Sequence, residues 1–274
     1  MTFHIHLVSD STGETIDAVT RACLAQFEDV DVKKHYWSLI RSQRLLDMVH
    51  EGIKDSYGLV LYTFVDQKLR ESLEGFCRQE QIPCISVLKP VLRGMMTLFG
   101  KEPAHNPGRQ HVLDEDYFDR IDAMDFALAQ DDGHGEDRLK DADVIIVGVS
   151  RTSKTPTCIY LAGRGIRAAN VPFIRNRPLP DLSLYKKPLI VGFVKDVDSL
   201  VAIRRNRMRL LQEKRETAYT DPEEVKEEMQ EARRYFSRFN CPVIDISRKS
   251  IEETSAEIMI LLSRKRNDQS NLTK

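Results

Sequence analysis

The sequence lacks several features that mark common classes of protein. No apolar run in its 274 residues approaches the ~20 residues that a membrane-spanning helix needs. The start has no basic segment followed by an apolar one, so we expect no signal peptide. Lys and Arg (41) nearly balance Asp and Glu (42), and the formal net charge is −1. This balance gives no indication of nucleic acid or of an anionic membrane as a partner.

Cysteine and histidine are few and scattered. The five cysteines show no C-x-x-C spacing, and no pair among the seven histidines has the spacing of a zinc site. Sequence order also offers no Ser-His-Asp or Cys-His constellation. We therefore expect a cytoplasmic protein with reduced, mostly buried thiols and without a disulfide framework.

Hydrophobic residues (41%) and charged residues (30%) are balanced as in soluble globular proteins. Short apolar runs alternate with segments of helical periodicity, a pattern that predicts parallel strands separated by helices. The fold class that we predict is α/β. An N-terminal doubly wound parallel-sheet domain is followed by a P-loop kinase-like α/β domain.

Domain boundaries are predicted where the periodicity breaks. Two prolines and two glycines interrupt the stretch 100–113. We assign residues 1–105 to the N-terminal domain, 106–142 to a linker and connecting helix, and 143–263 to the second domain. The polar, aperiodic residues 264–274 are predicted to be a disordered tail.

Local patterns mark the starts of several helices. Ser11 and Glu14 have capping-box spacing, and so do Ser250 and Glu253. Asp221 is followed by proline and two glutamates, which is typical of an N-cap. Strands are predicted at residues 3–7, 30–39, 59–64, 84–88, 144–147, 171–174, 189–194 and 243–246.

The strand at 144–147 runs directly into the most informative segment of the chain. Residues 148–155, GVSRTSKT, fit the phosphate-binding pattern G-x-x-x-x-G-K-S/T at every fixed position except Ser153. In such a loop, backbone N–H groups surround a phosphate. Lys154 then reaches the outer phosphoryl oxygens, and the Thr155 hydroxyl can hold Mg²⁺. A serine in place of the glycine predicts that the backbone there avoids a strongly positive φ.

Loop 148–155 also has a plain interpretation, as an ordinary strand–turn–helix whose lysine and threonine face solvent. A lysine at a helix N-terminus opposes the helix dipole, however, and this favours a bound anion. Arg151 is either a further phosphate ligand or an anchor for the loop. The predicted nucleotide-binding residues are Gly148, Val149, Ser150, Arg151, Thr152, Ser153, Lys154 and Thr155.

Asp196 follows the predicted strand at 189–194, close to its carboxyl end. Ligands of open α/β sheets bind at that edge, so Asp196 is a candidate Mg²⁺ ligand or base for the incoming hydroxyl. The alternative is an N-cap for the helix that follows.

Two further polar segments are candidates for function. Arg204, Arg205 and Arg207 belong to a dense basic helix segment, which is either a solvated face or a contact for phosphate or a partner enzyme. Residues 9–13, SDSTG, form a second strand-to-helix turn that is able to hold an anion, although a capped helix start explains the same spacing. Asp10 is the candidate catalytic residue in this turn.

Five blocks of the chain resemble, in the same order, those of the pyruvate, phosphate dikinase regulatory proteins. They are residues 6–15 (HLVSDSTGET), 148–173 (GVSRTSKTPTCIYLAGRGIRAANVPF), 203–208 (IRRNRM), 218–225 (AYTDPEEV) and 243–258 (VIDISRKSIEETSAEI). Because the blocks extend over nearly the whole chain, we identify it as a member of that family.

The resemblance implies a bifunctional regulatory enzyme. Members transfer a phosphoryl group from ADP to a threonine of pyruvate, phosphate dikinase, and remove it with inorganic phosphate, releasing pyrophosphate. The catalytic residues that we predict are Lys154, Asp196 and Asp10, and the predicted Mg²⁺ ligands are Thr155 and Asp196. The resemblance also suggests a cytoplasmic homodimer.

Three alternatives stay open at this point. A branch of the family regulates phosphoenolpyruvate synthase, but it typically has Cys-Gly where this chain has Thr152-Ser153. The other two are a P-loop kinase of small metabolites, which would use ATP, and a non-catalytic ADP sensor.

Overall fold

A computed structural model describes residues 2–103, 115–131, 136–175, 177, 179–211 and 218–272. It divides the chain into two compact units, residues 1–112 and 113–274. The boundary predicted near residue 105 lies outside the described residues. No described helix combines the length and the apolar character that a membrane span requires.

The first unit is a four-stranded parallel sheet with the order β2-β1-β3-β4. This confirms the predicted α/β class for the N-terminal half. The strands are β1 (Phe3–Val8), β2 (Val32–Trp37), β3 (Leu59–Tyr62) and β4 (Cys84–Ser86), and the helices are α1 (Glu14–Leu24), α2 (Gln43–Asp55), α3 (Gln67–Gln79) and α4 (Lys89–Phe99).

The helix faces of this unit follow from periodicity, but the start of α1 does not. On α2, Leu46, Val49 and Ile53 are fully buried in the core, at helical spacing.

The capping box predicted at Ser11 is wrong. The N-cap of α1 is Gly13 at φ 87°, and no side chain caps the helix. A glycine adopts this left-handed conformation without steric cost, so the turn extends two residues further than predicted.

The second unit is also a four-stranded parallel sheet, with the order β6-β5-β7-β8. Its strands are β5 (Val144–Gly148), β6 (Ala168–Pro172), β7 (Leu189–Val194) and β8 (Val243–Asp245), and its helices are α5 (Glu115–Ala129), α6 (Lys154–Ala162), α7 (Val197–Leu210), α8 (Pro222–Arg238) and α9 (Ile251–Leu272). The start predicted for β6 was three residues late, because Ala168, Ala169 and Asn170 lack the bulky apolar side chains that mark a strand.

Strand β5 lies at the centre of this unit. Val144 and Ile146 pack into the core on one face of the sheet, and Ile145 and Val147 pack into the core on the other. Burial on both faces is what the continuous apolar run predicted. The strand therefore holds the loop that follows it on a rigid base.

The C-terminal tail differs from the prediction. The segment expected to be disordered from Arg264 is helical, since α9 continues to Leu272. Two cations anchor it: Lys265 Nζ donates to Pro188 O at 2.6 Å, and Arg266 Nη2 pairs with Asp143 Oδ1 at 2.7 Å. These contacts join residues far apart in sequence, so local composition does not indicate them. The N-caps predicted at Asp221 and Ser250 are confirmed.

A buried histidine joins three segments of the first unit. His6 Nε2 donates to Ser56 O at 2.7 Å, and Trp37 Nε1 donates to His6 Nδ1 at 3.2 Å. One ring nitrogen must therefore carry a proton and the other must not, which defines a neutral imidazole. Burial lowers the pKa of His6 from its usual 6.5, and burial likewise lowers the pKa of His35, which stacks on it.

We expect the first unit to lose stability as the pH falls from about 7 to 5.5, because the unfolded histidines bind protons that the folded ones resist. The single tryptophan, Trp37, lies in this unit, so its fluorescence during urea unfolding reports the midpoint. The substitution His6→Gln should lower the midpoint at pH 7 but flatten its pH dependence. If the urea midpoint of that variant depends on pH as strongly as the wild-type midpoint does, His6 is not the titrating group.

Candidate nucleotide-phosphate site

Loop 148–155 lies at the topological switch point of the second sheet. Strand β6 pairs with one edge of β5, and β7 pairs with the other edge. The next two strands along the chain therefore lie on opposite sides of β5, which defines a switch point. In parallel α/β sheets, ligands bind in the crevice at this carboxyl edge. Residues 150–156, Asn170, Pro172 and Ile203 line a cavity of about 370 Å³ there.

Space for a side chain is tight where β5 meets the loop. A Cβ atom at Gly148 would lie 3.0 Å from Thr152 Oγ1 and 3.1 Å from Phe193 Cβ. Thr152 is fully buried, and its hydroxyl donates to Val149 O at 2.8 Å. A side chain at position 148 would therefore push Thr152 or Phe193 away by a few tenths of an ångström.

Two loop residues adopt left-handed conformations, Arg151 at φ 71° and Ser153 at φ 55°. The expectation that Ser153 avoids a strongly positive φ is wrong: the serine is in the left-handed region, which glycine adopts without steric cost. Such backbone turns direct successive N–H groups to one side and form an anion-binding concavity. The loop thus keeps the shape of a phosphate cradle despite the substitution.

Lys154 is the first residue of α6 and is only 6% exposed. Its Nζ donates to Val149 O at 2.9 Å, inside the loop. The interpretation of a lysine that faces solvent is therefore excluded. The ammonium group lies at the N-terminus of α6, beside the cavity, where it would neutralise a bound phosphate.

Thr155 belongs to a polar network that sequence reasoning missed. Its Oγ1 donates to Asp131 Oδ1 at 2.8 Å, and Asn170 Nδ2 lies 2.6 Å from the same carboxylate oxygen and 3.0 Å from Thr155 Oγ1. Asp131 lies 24 residues before Thr155, so sequence order does not indicate the contact. A usable signal was Asn170, a polar residue between the apolar residues Ala169 and Val171, both of which are buried.

Arg204 is buried and forms a hydrogen bond with the backbone of the loop. The residue is 1% exposed, and Nη2 contacts Ser150 O at 3.1 Å and Glu228 Oε2 at 2.8 Å. Nη1 donates to Tyr219 O at 3.3 Å, and the guanidinium lies 4.5 Å from the centroid of the Tyr219 ring. This arrangement positions the loop; a direct phosphate contact by Arg204 stays a prediction.

The other predicted residues of the basic segment and of the sheet edge lie at the surface. Arg205 and Arg207 are exposed on α7. Asp196 is the N-cap of α7 and accepts from Ser199 N at 3.0 Å, and this hydrogen bond lowers the pKa of its carboxyl. The capping role is thus confirmed, and the carboxylate is ionised at neutral pH. Its roles as a base or Mg²⁺ ligand stay predictions.

Asp10 belongs to the first unit, in the turn after β1. It is 1% exposed, and its Oδ2 accepts from Val65 N at 2.7 Å and Asp66 N at 3.1 Å. Oδ1 is buried without a hydrogen-bond partner among the described residues. The carboxylate therefore ties the turn after β1 to the turn after β3, and its catalytic role stays a prediction.

We expect Arg204→Met to destabilise the second unit by about 3 kcal/mol or more, since it leaves Glu228 and two carbonyls without their partner. Arg205→Met is the matched control, and at an exposed position it should change stability by less than about 0.5 kcal/mol. Hydrogen exchange of β5 and β7 peptides measures the effect in this unit. Equal protection in the two variants would contradict the anchoring role.

Comparison with known proteins assigns the chain to a family. A family model described as Kinase/pyrophosphorylase matches residues 5–259. A relative from Paramagnetospirillum magneticum is 52% identical over 263 residues, which cover 96% of this chain and 85% of the relative. Relatives from Caulobacter vibrioides (53% over 262 residues, 95% and 83%) and Rhodospirillum rubrum (51% over 257 residues, 93% and 94%) are similar. All three carry the name pyruvate, phosphate dikinase regulatory protein. The chain belongs to the Kinase/pyrophosphorylase family.

Proposed function

We propose that the protein regulates pyruvate, phosphate dikinase by two opposing reactions. In the first, the β-phosphoryl group of ADP passes to a threonine hydroxyl of the dikinase, giving AMP and phosphothreonine and inactivating the enzyme. In the second, inorganic phosphate attacks the phosphothreonine, giving pyrophosphate and the free hydroxyl. The names of the relatives support this substrate, and Thr152-Ser153 before the lysine favours the dikinase over phosphoenolpyruvate synthase.

The observation that carries the proposal is the buried ammonium group of Lys154 beneath loop 148–155, at the switch point of the sheet. Phosphoryl transfer needs little covalent chemistry from a protein, which mainly positions the groups and neutralises developing charge. Lys154 and the N-terminus of α6 supply positive charge, and the loop supplies directed N–H groups. With ADP bound, Lys154 would contact the transferred β-phosphoryl group.

One cavity is sufficient for both directions. The β-phosphoryl group of ADP and inorganic phosphate are both tetrahedral anions, and the same donors stabilise both. A cavity of about 370 Å³ around the loop is open enough to admit the acceptor hydroxyl together with the phosphate. Arg151, Arg205 and Arg207 are the cations of the loop and of α7 proposed to contact phosphate or the partner enzyme.

The oxygen groups at the loop suit a hard cation. Thr155 Oγ1 and Asp131 Oδ1 lie 2.8 Å apart, and Mg²⁺ in such sites is typically bound by hydroxyl, carboxylate and phosphate oxygens together with water. Thr155 and Asp196 are the proposed ligands, and Asp131 orients the threonine hydroxyl. No group of three or more His, Cys, Asp or Glu side chains is arranged for a metal within the described ranges. When bound, Mg²⁺ would neutralise phosphate charge.

We expect Lys154→Ala to reduce transfer from β-labelled ADP to the dikinase by at least ~100-fold, because the developing charge loses its nearest cation. Lys226→Ala, at an exposed site on α8, is the control and should retain the wild-type rate. The measurement is label on phospho-dikinase after incubation with Mg²⁺ and either β-labelled ADP or γ-labelled ATP.

The same assay separates the alternatives. If label leaves ATP but not ADP, and no protein accepts it, the protein is a kinase of small metabolites. ADP binding without transfer from either donor would indicate a sensor. Label on phosphoenolpyruvate synthase rather than on the dikinase would move the chain to the other branch. Each result would overturn the proposal.

The contact between Thr155 and Asp131 makes a further prediction. Thr155→Val and Asp131→Asn should each slow transfer from ADP, and the double variant should be no slower than Thr155→Val, because Asp131 acts through the hydroxyl that valine lacks. Transfer rates measured at several Mg²⁺ concentrations test this. If the loss in the double variant equals the product of the two single losses, Asp131 acts independently of the Thr155 hydroxyl.

A further inference from the structure

A second cavity, in the first unit, combines two thiols with a cluster of cations. Its volume is about 600 Å³, and its lining includes Cys77, Cys84, Arg78, Lys89 and Arg93. Cys77 is buried and Cys84 is partly buried, whereas the three cations are exposed. The thiols therefore lie deep in the cavity and the cations at its mouth. We call it the thiol cavity.

The two cysteines pack into the same part of the first unit, with Cys77 in its buried core and Cys84 against that core. Cys77 lies near the end of α3 and Cys84 is the first residue of β4, and the chain turns back between them, where Ile82 N donates to Cys77 O at 2.8 Å. The neighbouring Cys84 thiol lowers the pKa of Cys77, and the neighbouring Cys77 thiol and burial raise the pKa of Cys84. A thiolate is the form of cysteine that attacks a disulfide, so the lower pKa favours Cys77 over Cys84 as the nucleophile.

The charge of the thiol cavity is positive. Glu74 is its one carboxylate, and it is engaged by the Tyr62 hydroxyl and by Lys89 Nζ at 3.4 Å. Among the residues that the structure describes, neither Arg78 nor Arg93 forms an ion pair. Two guanidinium groups are therefore available at the mouth, and guanidinium binds carboxylates in a bidentate geometry.

We infer that the thiol cavity is a site of thiol–disulfide exchange, in which a small disulfide that carries carboxylates binds at Arg78, Lys89 and Arg93 and oxidises Cys77 and Cys84 to an intramolecular disulfide. The Cys77 thiolate attacks one sulfur of the bound disulfide, forming a mixed disulfide and releasing one thiolate. Cys84 then displaces the second thiol from Cys77, and its proton leaves with that thiol. The protein loses two electrons and two protons, and the small disulfide becomes two thiols.

The other three cysteines provide internal controls. Cys23 is exposed, Cys158 is buried and Cys241 is partly buried. None of the three lines the thiol cavity. Exposure alone would make Cys23 the most reactive thiol toward any disulfide. The thiol cavity instead predicts that Cys77 and Cys84 react as a pair, and that the charge of the reagent controls the rate.

The experiment uses the full chain and two probes of opposite charge, glutathione disulfide and cystamine. After remaining thiols are blocked with N-ethylmaleimide, peptide mass spectrometry follows a 77–84 disulfide, which lacks two hydrogens, about 2 Da. We expect the anionic probe to form it at least ~10-fold faster than the cationic one, because the cations concentrate anions at the mouth. The double variant Arg78→Gln/Arg93→Gln should lose most of this difference.

Two further variants test the order of the steps and the independence of the site. Cys84→Ser should stop at a mixed disulfide on Cys77, and Lys154→Ala should oxidise at the wild-type rate whether or not the protein transfers phosphate. A glutathione adduct on Cys23 without a 77–84 disulfide would overturn the inference. So would equal rates with the two probes in the wild-type chain.

Discussion

The loop of the second unit depends on one buried charge. The Arg204 guanidinium cannot lose its proton in a protein, so its burial is tolerated only where acceptors surround it. Those acceptors come from three separate segments: Ser150 O in the loop, Tyr219 O before α8, and the Glu228 carboxylate on α8. Moving Glu228 would leave the charge without its ion pair, and moving either carbonyl would leave buried N–H groups without an acceptor. The cost of these losses holds the loop, α7 and α8 in one arrangement.

This anchor explains how the loop keeps an unfavourable backbone. Left-handed conformations at Arg151 and Ser153 cost about 1–2 kcal/mol each for residues other than glycine. Strain of this kind persists where contacts with the surrounding structure fix the conformation. Ser150 O is held by Arg204, Thr152 Oγ1 is held by Val149 O, and Gly148 packs closely against Phe193. The residues that flank each strained position are thus fixed, and a serine can replace the usual glycine.

Local features of both units could be predicted from the sequence, because local chemistry determines them. The burial of β5, the cap at Asp221 and the position of Lys154 at a helix N-terminus all follow from neighbouring residues. The supports of the site could not be predicted. Asp131 meets Thr155 across 24 positions and Arg204 meets Ser150 across 54, so only the folded sheet brings them together. The α9 extension escaped prediction for the same reason, since its anchors, Pro188 and Asp143, lie on distant segments.

The two units show how electrostatics distinguish sites on one topology. Each sheet places its first strand between its second and third, so each has a switch point where a turn rich in Ser and Thr follows the first strand. In the second unit, the turn surrounds an ammonium group and borders a cavity. In the first unit, the Asp10 carboxylate accepts the N–H groups of Val65 and Asp66 that an anion would otherwise bind. A buried carboxylate repels a phosphate, whereas a buried ammonium attracts one. On the same strand order, the side chains therefore favour a phosphate at loop 148–155 and disfavour one beside the Asp10 carboxylate.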